Sequence, residues 1–117
     1  MAIQTATIDT ILRTRGYSVI TETAKKRCFQ MNSGTPVYLN IASASGTTAL
    51  ELHPHVAGIE ALRRIPGVTI GDEYYHASNM RRFPKRIWKG KNETPYGWGV
   101  TFDSEIALTQ LLKEIET

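Results

Sequence analysis

Arg27-Cys28-Phe29-Gln30-Met31-Asn32-Ser33-Gly34-Thr35-Pro36-Val37-Tyr38-Leu39-Asn40-Ile41 decides the fold. Cys28 and Gln30 alternate with Phe29 and Met31 before Asn32-Ser33-Gly34, a turn signal. After it, Val37, Leu39 and Ile41 share one face and Tyr38 and Asn40 the other, the period of a half-buried strand. Ser43-Ala44-Ser45-Gly46-Thr47 reads as the next turn, leading into Thr48–His53 with Leu50 and Leu52 facing inward. The run is therefore a three-stranded antiparallel meander, with alternation at Tyr17 and Val19 before it.

Helical spacing flanks the meander. Ile8, Ile11 and Leu12 predict a short helix over Thr7–Arg15, with Thr7 as N-cap and Gly16 as the left-handed stop. Ile59 and Leu62, with Ala57 and Ala61, predict a second helix over Val56–Arg64, ended by Pro66-Gly67. Val68-Thr69-Ile70 is a brief strand, and Trp98–Phe102 alternates as another. Asp103 or Ser104 caps a final helix carrying Leu108, Leu111, Leu112 and Ile115. Residues 71–97 show no clean period and read as a long irregular segment, kept from simple disorder by Tyr74, Tyr75, Phe83, Trp88 and Tyr96. The expected class is α+β, in one domain over 1–117: N-terminal helix, antiparallel meander, short middle helix, irregular basic segment, final strand and C-terminal helix.

A chain of 117 residues can bury about two-thirds of its unfolded surface, enough for a core without staples. Its single cysteine, Cys28, suits a reducing compartment and reads as a small core residue. No apolar run reaches membrane-spanning length, and Met1-Ala2-Ile3-Gln4-Thr5 lacks a basic, apolar leader. The expectation is a cytoplasmic protein with no membrane partner; oligomeric state is open.

Charge is uneven. Residues 1–91 hold thirteen lysines and arginines against six acids, and residues 92–117 hold one lysine against five acids. Arg81-Arg82-Phe83-Pro84-Lys85-Arg86-Ile87-Trp88-Lys89-Gly90-Lys91 carries six cations and no acid. Clustered cations neutralise phosphates, and aromatic faces stack on unpaired bases. Arg81, Arg82, Lys85, Arg86, Lys89 and Lys91 supply the first, and Trp88 and Tyr96 the second. The alternatives are a solvated loop whose cations answer the acidic final helix, or a protein partner anchored by Trp88, Tyr96, Arg82 and Arg86.

Catalytic and metal signals are weaker. Glu51, His53 and His55 would share one side of an extended strand, with His76 and Asp72 or Glu73 to complete a set. Structural zinc usually draws on thiolates, and Pro54 interrupts the shared face. A strand-end histidine bonded to backbone is the favoured reading, so neither metal nor cofactor is expected. No activated nucleophile, nuclease carboxylate cluster or phosphate-binding glycine pattern stands out, so a non-enzymatic module is expected.

Val37-Tyr38-Leu39-Asn40, Gly46-Thr47-Thr48-Ala49-Leu50, His53-Pro54, Tyr74-Tyr75-His76, Phe83-Pro84, Tyr96-Gly97 and Phe102-Asp103-Ser104 with Ala107-Leu108 have the order and spacing of a known set. From about Leu12 to Leu112 the chain resembles a family of small, uncharacterised bacterial domains found alone or near restriction, modification and mobile-element genes. The resemblance implies a bacterial or phage origin and DNA-directed work. It carries over no catalytic residue. The expected partner is nucleic acid, DNA before RNA, or else a nucleic-acid-processing or defence enzyme that the module modulates.

Overall fold

A computed structural model describes residues 4–41, 49–88, 90 and 92–116. The fold is α+β. Helix α1 spans Thr5–Thr14, and strands β1 (Ser18–Glu22), β2 (Lys26–Gln30), β3 (Pro36–Asn40) and β4 (Leu50–Leu52) form the meander. Helix α2 (Ile59–Arg63) and strand β5 (Val68–Ile70) follow. Strands β6 (Tyr75–His76), β7 (Lys85–Trp88) and β8 (Asn92–Phe102) then lead to helix α3 (Glu105–Glu116).

The antiparallel sheet runs β1-β2-β3-β4-β8-β5, and β6 and β7 attach to the first half of β8. Phe29 pairs with Val37 and Leu39 with Leu50, so the meander's alternation becomes one apolar face. Ile8 and Leu12 of α1 and Leu108, Leu111 and Leu112 of α3 pack on that face in a single buried cluster. Ser104 caps α3, its Oγ accepting from the Ala107 amide at 3.1 Å. Gly16 ends the α1 turn at φ 92°, in the left-handed region expected of it.

Several boundaries differ from the sequence reading. Thr7 lies inside α1, because the Thr7 and Ile8 amides both reach back to the Gln4 carbonyl. Helix α2 is five residues long, started late by the left-handed Gly58 at φ 73°. The turn expected over 43–47 lies outside the described residues. The largest correction concerns 71–97, which is not simply irregular. It contributes β6 and β7, and the strand expected at Trp98–Phe102 starts instead at Asn92. All four β7 residues are exposed, so no buried face imposes an apolar alternation there.

Residues 77–84 cross the second sheet face, from β6 on one side of β8 to β7 on the other. Met80 and Phe83 are buried there with Cys28 and Tyr38, as a separate small core. Gly97 makes the crossing possible. A Cβ at Gly97 would lie 2.5 Å from the Leu52 carbonyl oxygen and 2.7 Å from the Phe83 ring. The same face buries an ion pair. The Lys26 ammonium bonds the Glu51 carboxylate and the Asn40 side chain, and sits 5.1 Å from the Tyr75 ring centre. Glu51 is fully buried, and its Oε2 has no hydrogen-bond partner among the described residues. Burial pushes its carboxyl up to about 7, against the pull of Lys26.

Gly97→Ala should destabilise by about 1–3 kcal/mol in urea unfolding, through overpacking against a backbone carbonyl that cannot yield. Glu51→Ala should cost about 3–5 kcal/mol, since it strands a buried ammonium, whereas Lys26→Met combined with Glu51→Leu should be neutral or stabilising. The pH dependence has a definite sign. A carboxyl raised above its ordinary 4.5 stabilises the fold fully below that value and loses the contribution as pH climbs through 7. Urea titrations from about pH 5 to about pH 8 should therefore show the stability difference between Glu51→Gln and the parent moving in the variant's favour.

Candidate functional site

Side chains alternate along β8, so Tyr96, Trp98, Val100 and Phe102 all point to the helical side of the sheet. Val100 and Phe102 are buried beneath the helices, and Trp98 is partly buried at their margin. Beyond Trp98 the helical layer ends while the strand continues. Cross-strand pairing then fixes what joins Tyr96 on this uncovered face. His76 pairs with Tyr96, Arg86 with Thr94 and Trp88 with Asn92, which places His76, Arg86 and Trp88 on the same side. Tyr74, two residues before His76, completes the set.

These groups form a strip of rings and cations. Trp88 and His76 stack with centres 4.9 Å apart and planes 3° from parallel. His76 overlaps Tyr96 at 6.1 Å and 27°. Tyr74 meets Tyr96 edge-on at 4.8 Å and Trp98 at 4.4 Å. The Arg86 guanidinium lies over Tyr74 at 5.2 Å and Tyr96 at 5.6 Å. Arg63, from α2, covers Trp98 at 5.2 Å at the inner end. Its guanidinium is fixed by the Ile70 and Gly71 carbonyls at 2.8 and 2.9 Å. The Trp98 indole N–H donates to the Pro54 carbonyl at 3.3 Å. Trp88, at the outer end, is 41% exposed.

Of the residues expected from sequence, Arg86, Trp88 and Tyr96 come together here. Lys85 pairs with Pro95 and points to the opposite face of the β7–β8 hairpin. Arg81 and Arg82 are exposed on the crossing segment, where the Arg82 amide donates to the Tyr38 hydroxyl at 2.8 Å. Lys89 and Lys91 lie outside the described residues. The basic run is thus divided between two faces, because successive strand residues point in opposite directions.

Other cations of the positively charged part of the chain are engaged elsewhere. Lys26 is buried, and Arg27 bridges Asp9 and Glu22. In the final helix, Glu116 is answered by Arg15 and by the Tyr17 hydroxyl, on the far side of the chain in sequence from the basic run. Tyr74, His76, Trp98 and Arg63 are members of the strip that the sequence reading did not select. The signal was present: Tyr74 and His76, Arg86 and Trp88, and Tyr96 and Trp98 are three pairs spaced by two.

The Glu51, His53 and His55 set does not converge. Glu51 turns to Lys26, while His53 accepts the His55 amide on Nδ1 at 3.1 Å, a strand-end histidine bonded to backbone. His76 belongs to the strip, on the opposite sheet face from His53 and its Phe83 contact. No group of three ligands is assembled among the described residues. A cleft of about 530 Å³ beside His53 and His55 is lined by Met31, Thr35, Val56 and Ile115, with no carboxylate or thiol among its described lining residues. Cys28 is buried, and burial pushes its thiol up.

The class of protein defined by this arrangement is an α+β domain with one antiparallel sheet, whose uncovered end carries a cation–aromatic strip. No protein-family model matches the chain, and no curated protein matches it in sequence.

Burial, and after it the Arg86 cation, hold the His76 imidazole below its ordinary 6.5, with the Tyr74 backbone opposing. An imidazole depressed in this way stabilises the fold above its unfolded value and loses that contribution as pH falls. Arg86→Gln removes the cation, so the His76 midpoint followed by NMR should rise toward its ordinary value. His53, depressed by burial and by His55 rather than by Arg86, should not move.

Proposed function

We propose that the protein is a non-enzymatic nucleic-acid-binding module, DNA-directed and of bacterial or phage origin. It contacts unpaired bases through the strip from Trp88 to Trp98. The observation that carries this reading is the interleaving of guanidinium groups with rings on one uncovered sheet face. Rings offer stacking surface to any base, and cations between them meet the phosphates that accompany each base. Arg86 makes no ion pair among the described residues, so its charge is not already neutralised by a carboxylate. Duplex DNA keeps its base faces stacked on each other, which leaves a strip of this kind only the backbone to contact. Lys85, Arg81 and Arg82 lie off the strip and would add general attraction at longer range.

The alternative partner is a DNA-processing or defence protein. Trp, Tyr and Arg are the residues that dominate protein interfaces, and all three occur in the strip. The two partners differ in their response to salt. Each phosphate contact on a single strand contributes about −0.7 to the slope of log K against log salt. Fluorescence titration with labelled single-stranded DNA should show Arg86→Gln reducing the slope by about that amount. Trp88→Ala should weaken binding by about 1–3 kcal/mol and leave the slope unchanged. Failure of folded protein to bind single-stranded or duplex DNA or RNA at low salt would favour the protein partner.

A further inference from the structure

We infer that the outer edge of β7 takes an acidic, extended peptide segment of another protein as an added antiparallel strand. The hydrogen-bond phase of the hairpin sets the geometry. The Tyr96 amide bonds the Pro84 carbonyl at 3.1 Å, and the pairing continues with Lys85 opposite Pro95 and Arg86 opposite Thr94. In an antiparallel ladder, bonded and non-bonded pairs alternate. Arg86 and Trp88 therefore turn their backbone groups toward β8, and Lys85 and Ile87 turn theirs outward. Among the described residues no strand pairs with that outer edge of β7. Ile87, beside it, is 61% exposed.

Backbone and charge together select the occupant. Lys85 and Ile87 each turn one amide donor and one carbonyl acceptor outward, a pattern that another strand matches in full. A phosphodiester backbone offers acceptors only and would leave both carbonyls without a partner. Arg81, Arg82 and Lys85 are exposed and make no ion pair among the described residues. Such an edge repels a strand of like charge, a second copy included, and attracts one of opposite charge. Arg86 adds nothing here, because its guanidinium is drawn inward over Tyr74 and Tyr96. Glu93 pairs with Ile87 from the inner side, which disfavours an acid opposite Ile87 and leaves that place to an apolar residue. Read from its N-terminus, the partner therefore carries an apolar residue opposite Ile87 and, two residues later, a carboxylate opposite Lys85. A further acid beyond it approaches Arg82. The edge is short, so the contact is of the weak, transient kind. It goes beyond the nucleic-acid reading, which uses the strip and not this edge.

The probe is a terminally blocked threonine peptide of about eight residues with Val-Thr-Glu-Glu at its centre, added to the full chain without nucleic acid. At about 1 mM peptide and low salt, exchange of the Ile87 amide followed by NMR should slow about tenfold, which corresponds to a dissociation constant on the order of 100 μM. Glutamine in place of both glutamates should weaken binding at least about fivefold, as should high salt. Register is tested by methylating single peptide amides. The valine amide meets the Ile87 carbonyl and the next threonine amide faces away, so only the first methylation should cost about tenfold or more. Lys85→Glu should abolish the slowing with an unchanged thermal melt, and a peptide with lysines for the glutamates should restore it in that variant. Arg86→Gln should leave it within about twofold, which separates the edge from the strip. No slowing at Ile87, equal loss at the two methylated positions, indifference to Lys85→Glu or loss in Arg86→Gln would each overturn the inference. Slowing by oligothymidylate instead of the peptide would give the edge to nucleic acid, and slowing with protein concentration alone would give it to a second copy. Either result overturns it too. Failure of single strands to bind the strip would leave it standing.

Discussion

Four strands take their hydrogen bonds from β8, and the rest of the molecule is arranged around that demand. At about 3.4 Å per residue its eleven residues extend about 37 Å, close to the 39 Å longest dimension of the fold. The inner half meets β4 on one side and β5 on the other, and the outer half meets β7 and β6. Its side chains change role at Trp98. Val100 and Phe102 stabilise the fold by burial beneath the helices, whereas Tyr96 is held by other rings. One continuous ladder thereby carries a rigid backbone out of the core to the place where the helical layer stops. The strip inherits its geometry from that backbone rather than from a loop.

The second face shows what this geometry requires. A strand flanked on both sides leaves the chain no lateral route from β6 to β7, so residues 77–84 pass over the sheet. Side chains directly beneath must be absent, which accounts for Gly97 under Phe83. Pro95 is tolerated in the strand because it turns its backbone toward β6, where the Ala77 amide bonds its carbonyl and the Ala77 carbonyl accepts from the Met80 amide instead. Nearby, Lys26 and Glu51 are sealed in together. Such a pair is a poor source of stability beside an apolar replacement. Any register shift would separate the pair and leave a buried charge alone, which ties β2 to β4 across β3 in one alignment.

Where one face of an element is buried, the sequence was readable. Val37, Leu39, Leu50 and Leu52 alternate because the helices cover one side of the meander, and Leu108, Leu111 and Leu112 repeat because α3 lies on it. The hairpin escaped for the opposite reason. Lys85-Arg86-Ile87-Trp88 is exposed on both faces, so each face carries a cation beside an apolar or aromatic side chain and no apolar–polar alternation arises. Gly97 stood in the segment read as irregular, although its role is to admit the crossing segment over a continuous strand. Arg86, Trp88 and Tyr96 were found through composition, and composition also swept in Lys85, Arg81 and Arg82. Sorting them required the strand pairing, because a basic run written on a strand is divided between two faces. Arg63 could not be found locally at all, since only the fold brings α2 beside Trp98.

The order within the strip bears on how tightly it can bind. Ordering a side chain on binding costs free energy, about 0.5–1.5 kcal/mol for a flexible one. Here that ordering is largely complete before any ligand arrives. His76 is stacked on Trp88, Arg86 rests across two tyrosines, and Arg63 is fixed by two backbone carbonyls. A lone exposed tryptophan among mobile lysines would have to settle on binding and would lose part of its stacking energy in doing so. The neighbouring rings also keep Arg86 over π faces rather than beside a carboxylate, so its charge stays available to an anion. Preorganisation of this kind suits the proposed ligand, since an unpaired nucleic-acid strand repeats flat faces and negative charge along its length.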